Sequence, residues 1–548
     1  MSLMEKATNE YIRWLNNSDN DFDLYYRLLS MKDNPDEIAE SFYKELTFGT
    51  SGIRGILGPG TNRINKYVVK RATLGLADYL VDNFKEPKVI IAYDSRKKSH
   101  EFAYITARIL SGREIKVYLF DEITPVSVLS FGICKLKCSA GVMITASHNP
   151  KIFNGYKVYN DKGYQVVGSV PDEILGHINE HDYFEEAKTS DENIEILDDS
   201  IKNMFIEKVT SMMPKVDEDL LNKDISIVYT PLNGAGNLYV KSIFKNLGFT
   251  NILTVPAQDF PDENFTTCPV PNPEKIAAYQ EAFKTLTKKK ADIVIATDPD
   301  SDRTGAAIVH NGMKTSLSGN QIGILMLDFL CKFREIKPGQ FVMKSIVSTP
   351  LAEEIAKRNG LETINTLTGF KYIGEKIEEL AEEGLEDKYF FGFEESNGFL
   401  MNPFILDKDG VSSAVLIGLM AAYYHKEGID LLDRLDEIYK EHKPCVDRTK
   451  NFVFEGIEGA KTMENIMDYL RNDESGKIGE AKIVKKRDYK EGLDGLPPSN
   501  VLEFFFEDGT KALIRPSGTE PKIKVYLFLP TNISKADREI TALMNSFN

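Results

Sequence analysis

A serine in a turn, with a histidine beside it and a lysine close behind, is the first group of residues in this sequence that could do chemistry. The segment 145–150 reads TASHNP, follows an apolar run at 140–144 and is followed by Lys157. Because Asn-Pro and Asn-Gly pairs mark turns, we expect Ser147 to be exposed on a loop at the end of a strand. His148 can accept a proton and Lys157 can face a phosphate, which a serine that attacks or receives a phosphoryl group needs. An ordinary polar loop is the alternative, since an isolated serine carries little information.

Three aspartates at alternate positions form the second group. Asp298, Asp300 and Asp302 follow an apolar run and precede Arg303. Carboxylates this close repel one another unless a cation lies among them, and a loop at a strand end can direct all three onto one hard ion. An EF-hand calcium loop also begins Asp-x-Asp-x-Asp, but here Arg303 replaces the required glycine and Val309 replaces the closing glutamate. We therefore predict a Mg²⁺ site, with a solvated acidic turn as the alternative.

A third polar segment could hydrogen-bond the hydroxyl groups of a sugar. Residues 392–398 read GFEESNG after a strand-like run, and Glu394 and Ser396 supply a carboxylate and a hydroxyl. A turn with solvated glutamates explains this segment equally well when it is considered alone. Nearby polar and basic positions add further candidates for substrate binding or catalysis, namely Gly369, Lys371 and Lys408.

A fourth segment, near the end of the chain, concentrates basic residues in an otherwise acidic protein. Residues 515–524 read RPSGTEPKIK between two predicted strands. An arginine, two hydroxyls and a glycine whose amide can be approached closely make a reasonable phosphate cradle. A plain hairpin loop is the alternative. The candidate phosphate ligands are Arg515, Ser517, Gly518, Thr519 and Lys524.

The elements that would position these groups follow a strand-helix-strand rhythm. Apolar strands are predicted at 89–91, 115–120, 225–229, 293–296 and 341–346, with helices between them or after them. This rhythm predicts parallel or mixed sheets in three successive α/β units. Antiparallel strands are predicted near the C-terminus at 501–506, 511–514 and 523–529, before a helix over 534–547.

The predicted fold class is therefore α/β, with three tandem mixed-sheet domains and a smaller C-terminal α+β domain. Helical spacing in the first 45 residues predicts two helices laid over the first domain. Polar stretches near 214–223, 314–319 and 440–450 predict the boundaries. The resulting domains are 1–216 with the serine, 217–318 with the aspartates, 319–445 with the sugar segment, and 446–548 with the phosphate cradle.

The bulk composition excludes several classes of protein. A length of 548 residues favours several domains, and the net charge of −16 argues against binding to nucleic acid or to a membrane surface. Five scattered cysteines favour a reducing compartment, so we expect a cytoplasmic protein. The N-terminus lacks the apolar core of a signal peptide. The most apolar run, 411–424, is too short to span a membrane and is predicted to be a buried helix.

The four segments, in this order, resemble the α-D-phosphohexomutase superfamily, which contains phosphoglucomutases and phosphomannomutases. Residues 48–55 read FGTSGIRG and resemble its N-terminal glycine-rich signature, so the match runs from about residue 48 to the C-terminus. The helical extension before residue 48 and the FEES wording are most similar to the longer bacterial phosphoglucomutases and the related branch that acts on pentose phosphates.

The resemblance implies four domains around one central cleft, each of which contributes one segment. It implies that Ser147 carries a phosphoryl group and that one Mg²⁺ is held by Ser147, Asp298, Asp300 and Asp302. Glu394 and Ser396, with Gly369 and Lys371, would bind the sugar, and the 515–524 segment would hold the phosphate that is not transferred. The implied catalytic residues are Ser147, His148, Lys157, Arg54, Arg303 and Lys408. Two positions depart from the family pattern: Lys524 stands where relatives often have arginine, and Asn397 stands where glucose-specific members commonly have an aromatic residue.

The implied reaction is the reversible interconversion of α-D-glucose 1-phosphate and glucose 6-phosphate through a phosphoserine and a bound glucose 1,6-bisphosphate. Either Lys157 or His148 could be the base. Mannose and pentose phosphates are alternative substrates, and a Mg²⁺-dependent sugar phosphatase and a non-catalytic sugar-phosphate sensor are alternative classes. The sequence contains neither the Gly-x4-Gly-Lys-Ser/Thr loop of many ATP-dependent enzymes nor the Gly-x-Ser-x-Gly of serine hydrolases. The only partners expected are small sugar phosphates.

Overall fold

The first unit of the fold carries the serine segment at one edge of a mixed sheet. The structure is a computed structural model that describes residues 3–18, 21–49, 52–442, 445–454, 456–517 and 522–547. The elements of the first unit are α1 (Leu3–Asn17), α2 (Phe22–Met31), α3 (Pro35–Phe42), β1 (Ile53–Ile56), α4 (Lys66–Asn83), β2 (Lys88–Tyr93), α5 (Ser99–Gly112), β3 (Lys116–Phe120), α6 (Val126–Leu136), β4 (Ala140–Ile144), β5 (Phe153–Tyr159), α7 (Val170–Glu180), β6 (Ile194–Leu197) and α8 (Ser200–Met212). The strand order is β1-β5-β4-β2-β3-β6, in which β5 alone runs antiparallel to its two neighbours, β4 and β1, and β4, β2, β3 and β6 pair in parallel.

Helices cover both faces of this sheet, which is why its central strands are apolar along their whole length. Alternate residues of β2 belong to different cores: Val89 and Ile91 pack with α4, α5 and the N-terminal helices, whereas Ile90 and Ala92 pack with α6 and α8. Because β4 and β2 are parallel neighbours, their carboxyl ends lie side by side. The segments that follow these two strands are thereby brought together.

The N-terminal extension forms three helices, so the prediction of two was wrong. The third helix begins at Pro35 and is capped by Asn34, whose side chain accepts a hydrogen bond from the amide of Glu37. Asparagine at the N-cap and proline at the first position together start a new helix, and helical spacing alone does not reveal this. The extension packs on the first unit through Trp14, whose indole ring contacts the rings of Phe42 and Tyr67.

The second and third units repeat the α/β design. The second contains β7 (Ile227–Thr230), α9 (Asn237–Asn246), β8 (Ile252–Thr254), α10 (Gln280–Lys289), β9 (Ile293–Thr297), β10 (Thr304–His310) and β11 (Met313–Ser316), in the strand order β11-β10-β9-β7-β8. The third contains α11 (Gly319–Phe333), β12 (Phe341–Ser345), α12 (Leu351–Arg358), β13 (Glu362–Thr366), α13 (Phe370–Glu382), β14 (Tyr389–Glu394), β15 (Gly398–Leu400), α14 (Gly410–Lys426) and α15 (Leu431–Glu441), in the order β13-β12-β14-β15.

The fourth unit is an antiparallel sheet with helices against it. It contains β16 (Val446–Val453), α16 (Gly456–Asn472), β17 (Lys477–Ile478), β18 (Ala481–Asp488), β19 (Leu502–Phe506), β20 (Lys511–Pro516), β21 (Lys522–Leu529) and α17 (Lys535–Asn545), in the order β16-β21-β20-β19-β18-β17. Each predicted domain range therefore contains one sheet, while the boundaries themselves stay predictions. The predicted fold class is confirmed.

The first three units share an apolar core, whereas the fourth unit has its own. A continuous apolar core joins one face of the first sheet to the second and third units, and α14 lies inside it with nearly every residue buried. The fourth unit has a core of its own and meets the third through a smaller apolar cluster that includes Ile346, Val347, Tyr526 and Phe528. Within the described ranges, the apolar stretch of every helix falls short of what a membrane crossing requires.

Candidate active site

Ser147 lies on the loop that leaves β4, at the junction of the first and second units. Its hydroxyl donates a hydrogen bond to Asp298 Oδ2 at 2.7 Å and lies 3.1 Å from His148 Nδ1. The residue has a left-handed backbone, with φ of 52°, and its amide donates to Thr145 Oγ1. Ser147 is only 2% exposed, so the prediction of an exposed serine was wrong. The turn chemistry placed it correctly on a loop, but the aspartate loop of the second unit covers it.

Beneath this loop lies a buried ion pair that the sequence analysis did not identify as functional. Arg96 donates hydrogen bonds to the backbone carbonyls of Ser147, Asn149 and Pro150, and its Nε lies 3.2 Å from Asp94 Oδ2. The Asp94 carboxylate also accepts a hydrogen bond from the Thr145 hydroxyl at 2.6 Å. The sequence did contain a signal for this pair: Asp94 and Arg96 come directly after β2, and β2 is the neighbour of the strand that leads to Ser147.

The three aspartates converge at the end of β9. Asp298, Asp300 and Asp302 are at most 1% exposed, and one carboxylate oxygen of each lies within 4.8 Å of the others. Burial rules out the solvated acidic turn. Burial, and then the charges of Asp300 and Asp302, raise the pKa of Asp298 well above its ordinary value. Asp300 Oδ1 and Asp302 Oδ1 are buried without a hydrogen-bond partner, which fits a hard divalent cation that uses these oxygens as ligands.

Two lysines from different units face the aspartates. Lys157 Nζ, on β5, lies 2.9 Å from Asp300 Oδ2, and Lys408 Nζ, from the third unit, lies 3.1 Å from Asp302 Oδ2. Burial opposes ionisation of Asp302, but Lys408 and then Lys157 outweigh it and lower the pKa of that carboxyl. Burial likewise opposes the charge of Lys408, but Asp302 and Asp407 raise the pKa of its ammonium group. Asp407, 3.5 Å from Lys408, was not among the predicted site residues.

Two arginine side chains lie beside the serine loop. Arg303 Nη1 lies 3.4 Å from His148 Nε2, and Arg54, on β1, donates a hydrogen bond to the side-chain oxygen of Asn149 at 2.8 Å. Burial, and then the charges of Arg303 and Arg54, lower the pKa of His148 well below its ordinary value, so the imidazole is held neutral. Glu274 accepts a 2.6 Å hydrogen bond from Arg303 and is a further residue that the sequence did not single out.

The third-unit segment contributes a buried carboxylate. The amide of Gly369, which has φ of +124°, donates to Glu394 Oε1 at 2.6 Å. Burial and the charge of Glu395 raise the pKa of Glu394 to about 7. Burial lowers the pKa of Lys371 to about 8, despite the opposing charges of Glu375 and Glu394. Ser396 follows on the same turn and is half-buried.

Asn397, one of the two positions expected to depart from the family pattern, is buried. Its side-chain amide donates to the carbonyl of Thr304 at 3.0 Å, and its own carbonyl accepts from the amide of Thr304 at 3.1 Å. These two bonds tie the third unit to the start of β10. The side chain of Asn397 is therefore engaged with the second unit.

The fourth-unit segment is described in part. Arg515 and Lys524 are cross-strand partners on β20 and β21, and both are half-buried. Burial lowers the pKa of Lys524, while the charges of Glu395 and Glu274 oppose that shift. The side chain of Lys524 is thus within electrostatic range of Glu395 in the third unit and of Glu274 in the second. The amide of Ser517 donates to the carbonyl of Lys522 at 2.8 Å, and the predicted ligands Gly518 and Thr519 lie outside the described residues.

Comparison with known proteins identifies the family. Four family models of phosphoglucomutase/phosphomannomutase match this chain. The models of the α/β/α domains I, II and III match residues 45–185, 203–312 and 318–442, and the model of the C-terminal domain matches residues 463–528. The chain belongs to the phosphoglucomutase/phosphomannomutase family. It is therefore a phosphohexomutase, an isomerase that transfers a phosphoryl group, and the predicted superfamily is confirmed. The family is generally Mg²⁺-dependent, and the three buried aspartates of this phosphohexomutase can hold such an ion.

Individual relatives agree with this assignment along almost the whole chain. The phosphohexomutase is 36% identical to a phosphoglucomutase of Staphylococcus haemolyticus over 508 residues, which cover 89% of this chain and 91% of the relative. It is also 36% identical to a phosphoglucomutase of Staphylococcus aureus strain MRSA252 over 510 residues, which cover 90% and 91% of the two chains. In fold it is similar to the open form of parafusin, a phosphoglucomutase from Paramecium, with a TM-score of 0.65, 19% identity and coverage of 92% and 95%.

Proposed function

We propose that this enzyme interconverts α-D-glucose 1-phosphate and glucose 6-phosphate through a phosphoryl group carried on Ser147 Oγ and a bound glucose 1,6-bisphosphate. The observation that carries the proposal is the 2.7 Å contact between Ser147 Oγ and Asp298 Oδ2, which places a nucleophilic oxygen beside three buried carboxylates. The curated relatives that cover most of the chain are phosphoglucomutases, which favours glucose over mannose.

The residues around Ser147 have three separate roles: they bind the metal ion, stabilise negative charge and accept a proton. Asp298, Asp300 and Asp302, with the phosphoryl group on Ser147, would hold Mg²⁺, which supplies positive charge that stabilises the phosphoryl group during transfer. Arg303 and Lys157 add fixed positive charge at the same place. Of the two candidate bases, His148 lies 3.1 Å from the serine oxygen and accepts the proton of the attacking sugar hydroxyl, whereas Lys157 is engaged by Asp300 and acts electrostatically.

In each half-reaction the bond between phosphorus and Ser147 Oγ breaks as a bond between phosphorus and a sugar hydroxyl oxygen forms. The hydroxyl proton passes to His148, and the Ser147 oxygen that leaves phosphorus takes up a proton from the His148 ring 3.1 Å away. Ser147 is then a neutral hydroxyl that can accept the other phosphoryl group of the bisphosphate. The bisphosphate must then turn around, so one site has to bind either end of the sugar. Glu394 and Ser396 bind the sugar hydroxyls, with Gly369 and Lys371 beside them. Arg515, Ser517, Gly518, Thr519 and Lys524 hold the phosphate that is not being transferred.

Replacement of the serine tests the covalent route. Ser147→Ala removes the acceptor oxygen, so we expect complete loss of turnover and of phosphoryl incorporation after incubation with glucose 1,6-bisphosphate. Intact mass spectrometry and a coupled glucose 6-phosphate assay measure both. Ser211→Ala, at an exposed position on α8, is the matched control and should keep both properties. Turnover by Ser147→Ala at the wild-type rate would refute the proposal.

A substrate panel tests the sugar and the reaction class. We expect the highest kcat/KM with glucose 1-phosphate, compared with the 1-phosphates of mannose, glucosamine and ribose, each primed with its own bisphosphate. Stoichiometric release of inorganic phosphate would instead indicate a sugar phosphatase. A cytoplasmic location is proposed as well, because all five cysteines are free thiols in the structure.

A further inference from the structure

The backbone of the aspartate loop is held by hydrogen bonds from three different units of the fold. Three successive carbonyls of this loop, those of Pro299, Asp300 and Ser301, each accept one backbone N–H from outside the loop. The donors, in the order of those carbonyls, are Ala235, Val126 and Gly410, at 2.9, 3.0 and 3.0 Å. The loop that carries the metal ligands is therefore attached to the first, second and third units at adjacent residues.

Each donor lies where a helix begins. Val126 is the first residue of α6, Gly410 is the first residue of α14, and Ala235 lies in the turn that leads into α9. The first amides of a helix have no partner within the helix, so they are free to bind carbonyls of a neighbouring loop. The partial positive charge of helix N-termini also favours carboxylates nearby. Three helix starts from three units thus converge on one acidic loop.

The contacts are close enough to require glycine at two positions. A side-chain Cβ at Gly410 would lie 2.4 Å from the carbonyl oxygen of Ser301, and one at Gly234 would lie 2.4 Å from the Cα of Pro299. Ser301 itself has a left-handed backbone, with φ of 53°. Strained backbone of this kind persists only where the surroundings hold it. The three amides and the two glycines supply that restraint.

We propose that Val126, Ala235 and Gly410 are positioning residues for the metal site, and that their backbone amides set the spacing of Asp298, Asp300 and Asp302. The three carboxylates then reach the geometry that a divalent ion needs only when the first three units are in their native arrangement. This inference rests on the proposed role of the aspartates, and it adds a reason why they are presented at a junction of three units.

One substitution can remove a single donor with little other change. Val126→Pro deletes the N–H that binds Asp300, at a first helical position where proline is well tolerated. The preceding residue, Pro125, already has ψ of 148°, which a following proline permits. Val126→Ala keeps the N–H and loses only buried methyl groups, so it is the matched control.

Equilibrium binding of Mn²⁺, followed by the loss of the free-ion electron paramagnetic resonance signal, is the readout. We expect Val126→Pro to weaken Mn²⁺ binding about three- to tenfold relative to Val126→Ala, as the loss of one hydrogen bond predicts. The Mg²⁺ concentration for half-maximal activity should rise by a similar factor. Equal Mn²⁺ affinity in the two folded variants would overturn the proposal.

A second pair of variants decides the matter if Val126→Pro does not fold. Gly410→Ala pushes the Ser301 carbonyl, whereas Gly176→Ala, an exposed position on α7 where a Cβ meets nothing within 4 Å, changes backbone entropy alone. We expect weaker Mn²⁺ binding in Gly410→Ala only, and equal binding in the two would overturn the positioning role. Wild-type protein that binds no Mn²⁺ would contradict the proposed metal site itself, a result distinct from equal affinities among the variants.

Discussion

Individual residues in this site are defined by their burial as much as by their chemical type. Asp302, Lys157 and Lys408 are nearly inaccessible to water, and each has a partner of opposite charge within 4 Å. Removal of one member of such a pair leaves a buried charge without compensation, which costs more than the loss of a surface ion pair. Substitutions here therefore combine functional and structural effects, and positioning residues outside the cluster give cleaner tests.

Arg96 is such a residue. Arg96→Lys removes the planar fork that binds three carbonyls of the serine loop while it keeps the charge beside Asp94. We expect kcat to fall about ten- to a hundredfold with KM nearly unchanged, because a displaced nucleophile slows transfer without removing a substrate contact. Steady-state kinetics separate the two constants. Arg108→Lys, at a surface ion pair with Asp191, is the control, and a wild-type kcat for Arg96→Lys would contradict the positioning role.

At the scale of elements, the site is built from loops at the ends of strands. The serine loop follows β4, the aspartate loop follows β9, and Glu394 is the last residue of β14. In sheets with parallel strands the carboxyl ends share one edge, and helices start there, so ligand-binding groups collect at that edge. Contacts between elements of different units then fix how these edges face one another.

One such contact predicts a pH dependence of stability. His310, at the end of β10, lies 2.7 Å from Asp430, the N-cap of α15, and that hydrogen bond raises the pKa of the histidine. Its stabilising effect is therefore complete below the unfolded pKa of about 6.5 and is lost as pH rises through the higher folded value. Asp433 and Asp436 add to the shift, and Asn311 contacts the other ring nitrogen.

Denaturant unfolding at several pH values measures this contribution. The difference in the free energy of unfolding between wild type and His310→Gln should be largest near pH 6 and should shrink towards pH 9. We expect it to be no more than about 1 kcal/mol, because the pair is partly exposed and screened by solvent. His425→Gln, near the half-exposed Asp292, is the control. A difference that does not change with pH would count against the ion pair.

At the scale of the whole molecule, the first three units share apolar cores while the fourth keeps its own. The joining cluster between the third and fourth units is small and includes Leu367 and Tyr526. Elements held by fewer buried contacts open at lower free energy. The fourth unit, which carries the predicted phosphate-binding segment, is therefore the part of the enzyme that we expect to move most easily when the proposed bisphosphate reorients.

Calorimetry tests this division. We expect two unfolding transitions, a smaller one from the fourth unit and a larger one from the shared cores. Trp14, the only tryptophan, packs against the first unit, so its fluorescence should follow the larger transition alone. A single transition that coincides in heat capacity and fluorescence would show that all four units unfold together.

The sequence by itself determined the chemistry and the order of the parts. Ser147 with His148, the aspartate triad and the strand-helix rhythm are local patterns, and local patterns record which groups are available and which elements carry them. Asp298, Asp300 and Asp302 could be predicted to act together because all three lie on one short segment, and the structure places them together. The α/β class followed from the spacing of apolar runs.

Only the tertiary structure decided which of these groups are buried, charged and paired. The contacts that decide this join residues far apart in the chain. They are the hydrogen bond from Ser147 to Asp298, the hydrogen bond from Arg303 to Glu274, and the backbone hydrogen bonds from Val126 and Gly410 to the aspartate loop. No local pattern encodes such contacts, because they arise when separate units pack. Burial then sets the pKa of groups such as His148 and Glu394, since the loss of water changes the free energy of a charge more than its neighbours in sequence do.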